Sequence, residues 1–280
     1  MFKTRILLLI ISLVFSGQLF AKLPVSVQLW SVKDTLKNDF HGTLKSLAEM
    51  GFDGVEFAGD FGPYSDNPAA LKAKLSELGL VASSAHIGFD ALTESTIDST
   101  LLFYNTLGVT TLYVPWDERA WHPEGVKSLV KELTKVSDYA TRFNMKIGFH
   151  NHNKEFNAFN NATFWDYIAS NTPKTMPLQL DIGWVNYAAK DPIYFIKQYP
   201  NRTLATHIKV RTIEGSNMSP IIGENNIDWP AIIDTLESHG NTKWLVLEQE
   251  EYPNGLTPLQ SVAKSKQNLD KILLNKPEFR

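Results

Sequence analysis

Residues 146–156 read KIGFHNHNKEF. Ile147 and Phe149 alternate with Lys146 and Gly148, the period of a short strand, and the run then breaks into His150, His152 and Glu155. Just upstream, Val126, Leu129, Val130, Leu133, Val136, Tyr139, Ala140 and Phe143 keep helical spacing. The unit is a helix, then a strand ending in imidazoles and a carboxylate. Outward from it the same unit repeats. Strands are predicted near residues 25–30, 54–57, 81–86, 111–115, 146–150, 177–181, 205–209 and 243–248, with helical stretches between them. Phe40, Leu44, Leu47, Ala48 and Met50 mark another helix, and residues 257–274 the last. Gly51, Gly79 and Gly108 stand where helices need a left-handed residue before the next strand. Asp191-Pro192 and Asp228-Trp229-Pro230 read as helix starts, with Asp as N-cap and Pro in the first turn. Strict alternation implies a parallel sheet, and eight units imply closure. The expected fold class is therefore α/β, a (β/α)8 TIM barrel forming a single domain over residues 22–280. An open doubly wound sheet would carry a glycine-rich turn after its first strand, whereas residues 31–39 are SVKDTLKND.

Residues 1–21, MFKTRILLLIISLVFSGQLFA, have the layout of a secretory signal peptide: Lys3 and Arg5, an apolar run from Ile6 to Phe15, and Ala21 before a cut. The run is short for a membrane span. The expectation is a periplasmic or secreted protein with no stable membrane insertion after cleavage. Net charge is −3, and −5 once Lys3 and Arg5 are removed. An acidic chain without a Lys/Arg cluster is a poor ligand for nucleic acid. Cysteine is absent, so any metal must be held by nitrogen and oxygen. No G-x-S-x-G, P-loop or G-x-G-x-x-G is present.

Chemistry concentrates at the strand ends, as it does in parallel barrels. Glu56, His86, His150, His152, Asp181, His207 and Glu248 all lie there. Residues two apart share a strand face, which pairs Gln28 with Trp30, His150 with His152, Gln179 with Asp181, His207 with Lys209, and Glu248 with Glu250. If the last residue of each run points into the barrel mouth, His150 or His152 converges with Asp181, His207 and Glu248. Two imidazoles and two carboxylates suit one divalent cation: Mn, Co, Zn or Fe. Asp181, followed by Ile182-Gly183-Trp184, also reads as a helix N-cap, and both readings stand. Trp30, Trp116 and Trp184 at or just past strand ends, with Gln28, Glu56 and His86 near them, suit a small carbohydrate, whose C–H faces pack on flat rings while polar groups bind hydroxyls. The inserted segments 58–68 and 212–226 are the expected covering loops.

Through VQLWSVKD, GFDGVEF, SSAH, IGFHNHNKEF, LQLDIGWV, THIKV, IGENNIDW and LVLEQE, the chain resembles the sugar phosphate isomerase/epimerase group of xylose-isomerase-like TIM barrels, which also includes the endonuclease IV branch. The resemblance implies a divalent metal held by Glu, Asp, His and Glu from strands 5, 6, 7 and 8. Asp181, His207 and Glu248 match directly. The strand-5 Glu is replaced by His150, with His152 two residues on. The resemblance further implies an enediolate formed beside a sugar carbonyl, with Glu248 removing the α proton, Glu155 or His152 returning it, and Lys209 stabilising charge on oxygen. The expected activity is a metal-dependent isomerase or epimerase acting on a sugar, ketosugar or glycoside. The alternatives are a lyase or hydratase acting on a 3-keto-glycoside by the same enolate chemistry, and a non-catalytic carbohydrate-binding barrel. Net acidity and the smaller histidine set argue against a nuclease. Barrels of this group often associate, so a homo-oligomer is an open expectation.

Overall fold

The computed structural model describes residues 22–275, so the expected signal peptide lies outside the described residues. Eight parallel strands form one sheet: β1 (Val25–Gln28), β2 (Gly54–Phe57), β3 (Val81–His86), β4 (Thr111–Val114), β5 (Lys146–His150), β6 (Leu178–Gln179), β7 (Ala205–Ile208) and β8 (Trp244–Leu247). Their order is β6-β5-β4-β3-β2-β1-β8-β7. The ends of this row meet through a parallel bridge between Asp181 and His207, with Leu178 N–H donating to Arg202 O at 2.7 Å and His207 N–H to Leu180 O at 3.0 Å. The ring is thereby closed, and the expected TIM barrel is what the chain forms. No helix among the described residues is long and apolar enough to cross a membrane.

Helices α1 (Lys33–Asn38), α2 (Phe40–Glu49), α3 (Pro68–Glu77), α4 (Ile97–Leu107), α5 (Gly125–Ala140), α6 (Phe164–Asn171), α7 (Ile182–Tyr187), α8 (Pro192–Gln198), α9 (Trp229–Thr235) and α10 (Pro258–Leu274) surround it. The anticipated caps form: Asp191 accepts from Ile193 N–H, Asp228 from Ala231 N–H, and Gly108 takes φ 101° after α4. Gly148 in β5 is required by packing, since a Cβ there would lie 2.2 Å from Pro177 O. The main apolar core lies between strands and helices: Val27, Val55, Ala85, Leu112, Phe149, Ile208 and Leu247 join the helical leucines and valines there. Alternate strand residues face inward instead. A small apolar plug of Tyr113, Ala205 and Val246 packs inside the barrel.

Five strands stop short of their expected ends, β1 at Gln28 and β4 at Val114 among them. The 177–181 strand is only Leu178–Gln179, because Asp181 N–H is taken by the Asn151 side chain at 2.9 Å and Asp181 itself starts α7. β7 and β8 stop one residue before Lys209 and Glu248. In these last three the ladder ends where the functional side chains begin.

Candidate metal centre and its cavity

The inward-facing residues at the C-terminal ends of the strands build a polar network across the barrel. Glu56 is its hub, with none of its surface exposed. Its carboxylate accepts from Gln28 Nε2 at 2.7 Å, Gln179 Nε2 at 2.6 Å, Ser84 Oγ, and His207 Nε2 at 2.6 Å. β2 neighbours only β1 and β3, so the bonds to β6 and β7 span the interior. Burial alone would raise the Glu56 pKa, but the imidazoles of His86 and His207 outweigh it and hold it down to about 2.

The second nitrogen of His207 faces the other acids. Nδ1 is 2.8 Å from Glu248 Oε2 and 3.7 Å from Asp181 Oδ2. A ligating histidine is usually oriented in this way, with one ring nitrogen tied to a carboxylate and the other turned to the metal. Burial disfavours the imidazolium, yet Glu56 and Glu248 on either side raise the His207 pKa well above its usual value. Lys209 Nζ is 3.0 Å from Glu248 Oε2, 3.6 Å from Asp181 Oδ2 and 2.5 Å from Glu250. Against burial, these carboxylates keep the ammonium charged. Burial would raise the Glu248 pKa, but Lys209 and His207 hold it well below the usual range.

Asp181 satisfies both of its sequence readings. Oδ1 caps α7 by accepting Trp184 N–H at 2.9 Å. Oδ2 is buried and has no hydrogen-bond partner. Asp181, His207 and Glu248 offer ligand atoms within 4.8 Å of one another, and so do His86, His150 and His207. His150 Nε2 is 4.0 Å from Asp181 Oδ2, which brings this histidine to the fourth position. An orphaned carboxylate oxygen beside a pre-oriented imidazole and a second carboxylate is a donor set that fits a divalent cation.

The network meets a cavity of about 510 Å³ through His86, His150 and Glu248, while Asp181, His207 and Lys209 lie buried behind its lining. His86, His150, His152, Glu248 and Glu250 contribute its polar wall, while Trp30, Trp116 and Pro115 contribute apolar faces. Trp30 is 45 % and Trp116 48 % exposed, with Lys33 Nζ 3.7 Å from the Trp30 ring centroid. Ala58 and Gly59 come from the first expected covering loop, and no residue of 212–226 lines this cavity.

The remaining site candidates are placed differently. Gln28 and Glu56 lie beneath the floor, not on the wall. Trp184 stands behind His152, with ring centroids 5.4 Å apart, and packs against Lys209 and Arg211. His152 lines the cavity but joins neither ligand group. Burial, then Lys209, lowers its pKa to about 4, so the ring is neutral at pH 7. Glu155 is turned inward by the single 3-10 turn Lys154–Phe156 and does not line the cavity. Its Oε2 accepts His152 N–H at 3.0 Å, and Oε1 is buried without a partner.

Burial raises the Glu155 pKa from 4.5 to about 7. A carboxylate raised on folding leaves stability intact below its unfolded value and erodes it as pH rises through the folded one. Glu155→Gln is therefore expected to stabilise the protein at pH 8 by up to about 3 kcal/mol, with no gain near pH 4. Thermal unfolding of both proteins across this range checks it, and an equal difference at both ends contradicts it.

Sequence reasoning left Gln179, Ser84 and Asn151 without roles. Gln179 Oε1 accepts from His86 Nε2 at 2.7 Å and lies 3.1 Å from His150 Nδ1, while its Nε2 donates to Glu56. Ser84 and Gln179 could have been found by strand parity, being two residues before His86 and Asp181. Asn151, which fixes the Asp181 backbone, carries no such signal.

Residues 44–272 match the family model described as Xylose isomerase-like TIM barrel. An inosose dehydratase of Clostridium tetani is 26 % identical over 157 residues, half of this chain and 52 % of that protein. The chain thus spans about half the length of that curated relative. Among solved structures, a sugar phosphate isomerase/epimerase of Parabacteroides distasonis superposes with a TM-score of 0.73 at 22 % identity, covering 94 % of this chain and 98 % of that one. The IOLI protein with a bound zinc atom superposes with a TM-score of 0.67 at 17 % identity, covering 90 % and 98 %.

Proposed function

Because the chain belongs to the xylose isomerase-like TIM barrel family, we propose that it is a metal-dependent isomerase or epimerase that moves a proton beside the carbonyl of a sugar, ketosugar or glycoside. The observation that carries this reading is the buried Oδ2 of Asp181, which makes no hydrogen bond and is set against His207 and Glu248, the last of which lines an aromatic-walled cavity. Asp181, His207 and Glu248, with His150 at the fourth position, would hold one divalent cation: Mn, Co, Zn or Fe. When bound, it supplies Lewis-acid polarisation of a carbonyl oxygen.

The chain's own residues do the rest. Glu56 holds His207 Nε2 and so fixes the ring with Nδ1 toward the acids. Glu248 reaches the cavity and accepts the proton α to the carbonyl. His152, neutral and facing the same cavity, exchanges a proton on the opposite side, with Glu155 holding its backbone. Lys209 stays tied to Glu250 and adds positive charge beside the developing oxyanion. Trp30 and Trp116 pack on the ring's C–H faces. In this proposal the signal-peptide reading adds that the reaction runs in the periplasm or outside the cell, on sugars without phosphate.

A second reading is favoured by the inosose dehydratase likeness. The same proton abstraction, followed by loss of a β substituent, would make the protein a lyase or hydratase.

The test is solvent-deuterium incorporation at the carbon beside the carbonyl, across a panel of ketosugars and 3-keto-glycosides with the metal-loaded protein. Exchange without loss of a substituent supports the epimerase reading, and exchange with elimination supports the lyase. No exchange on any member contradicts both and leaves a carbohydrate-binding barrel.

A further inference from the structure

A second cavity, of about 400 Å³, opens beside the first. The two share Gly59, His86, Ile87 and Gly88 as lining. Two of these four, Gly59 and Gly88, carry no side chain. A Cβ at Gly59 would meet nothing within 4 Å, and its φ of +88° disfavours any side chain there. His86, which contacts Glu56 at 3.3 Å and Gln179 at 2.7 Å, forms part of both walls. The second cavity is therefore a continuation of the site and leads away from the metal centre.

Its lining differs from that of the first. Phe61 and Phe103 lie edge to face, with centroids 4.8 Å apart, and Phe61 stacks on Phe57 at 5.3 Å. This gives a rigid aromatic wall on the β2 loop and α4. The same cavity is lined by hydroxyl and carboxylate groups, Ser65, Ser99 and Asp90, all exposed, with Ser99 one turn before Phe103 on α4. The Asp90 carboxylate has neither a hydrogen bond nor an ion pair to the described residues, so its acceptors are free for ligand hydroxyls. Aromatic rings and oxygen acceptors in one cavity match a sugar ring, whose C–H groups pack on flat rings and whose hydroxyls donate to oxygen. A purely apolar group would cover the Asp90 carboxylate without giving it a hydrogen bond, whereas the Ser65 and Ser99 hydroxyls already donate to Gly62 O and Thr96 O.

We propose that this cavity is a subsite for a second sugar ring, so that the keto-sugar is bound while still joined to its neighbour in a glycoside. This rests on the function proposed above and specifies the substrate class as a two-ring glycoside. A ligand filling both cavities runs past Gly59, where a Cβ would meet nothing within 4 Å, and past Gly88, which the Asp90 carboxylate overlies.

The experiment is a ligand-observed NMR titration of the full-length mature chain. The probes are methyl glucosides, phenyl glucosides and glucose disaccharides, each in α and β linkage. At least one disaccharide is expected to bind about tenfold or more tighter than the matching methyl glucoside, from burying a further ring against aromatic side chains. Ser99→Trp, which fills the second cavity from α4, should remove that gain and leave methyl glucoside binding unchanged. Phe103→Ala should reduce it in the same way. The proposal is overturned if no disaccharide gains over its methyl glucoside, including the case where neither binds. It is overturned in favour of an aryl aglycone if only the phenyl glucosides gain. It is also overturned if the gain survives both substitutions. Failure of the enzymatic reading is a separate result: the second-ring gain with no deuterium exchange on any keto-sugar would leave the subsite and remove the catalysis.

Discussion

Glu248→Gln is expected to lower the rate of α-proton exchange by about 10²–10⁴-fold, the usual contribution of a positioned general base. Glu248 follows β8 directly and is 6 % exposed, at the cavity wall. Its Oε2 is held by His207 Nδ1 at 2.8 Å and Lys209 Nζ at 3.0 Å, while Oε1 has no hydrogen bond to the described residues. One oxygen is thus fixed in the cage and the other is free for the substrate. Glutamine keeps the size and one acceptor oxygen but cannot take up a proton. It also removes a negative charge from the cation's ligands. Measuring exchange over a metal titration separates the two losses: weaker metal binding is restored at high metal, and a missing base is not. Full turnover by Glu248→Gln at saturating metal contradicts the assignment.

Glu56→Gln should have the largest effect on the scaffold. The wild-type carboxylate is fully buried and takes bonds from Gln28, Ser84, Gln179 and His207. An amide presents two N–H groups to a nest of donors, and His207 loses its anionic partner at Nε2 while keeping Glu248 at Nδ1. Breaking a buried charge pair on one side typically costs about 3–5 kcal/mol. Loss of the group that orients a ligating histidine typically costs about 10–100-fold in metal affinity. The deficit should be greatest near neutral pH. Glu56 is held from its usual 4.5 down to about 2, so its contribution is complete above 4.5 and is lost as pH falls toward 2. Chemical denaturation of both proteins without added metal, at pH 7 and pH 3, checks this. An unchanged midpoint at pH 7 contradicts the role of Glu56 as hub.

The barrel was legible because its information is periodic. Helical spacing in residues 126–143 and alternation in 146–150 repeat along the chain, and the glycines and Asp-Pro pairs mark the joints. Ring closure between β6 and β7 was less visible. It rests on one bridge and two backbone bonds beside a two-residue strand, and Asn151 sets that strand's end from another loop.

Strand parity found the direction of the site residues but not their depth. Gln28 and Glu56 are paired in register and lie under the floor, whereas Trp30, two residues beyond Gln28, reaches the cavity. His150 and His152 show the same effect: the first stays in β5 near Asp181, and the second has left the strand and meets Trp116 at 4.9 Å. Depth depends on how far each strand is staggered round the ring, and no single segment encodes it. Glu155 was misleading for a local reason, since a 3-10 turn aims its side chain inward.

The claim on which the rest depends is that Asp181, His207 and Glu248, with His150, hold one divalent cation. The most direct test is elemental mass spectrometry of the untagged protein, purified without added metal and again after dialysis against Mn, Co, Zn or Fe. The account predicts about one equivalent per chain, lost on replacing Asp181 with Asn while the fold is retained by circular dichroism. No metal in either preparation, or one equivalent that persists in Asp181→Asn, would contradict it.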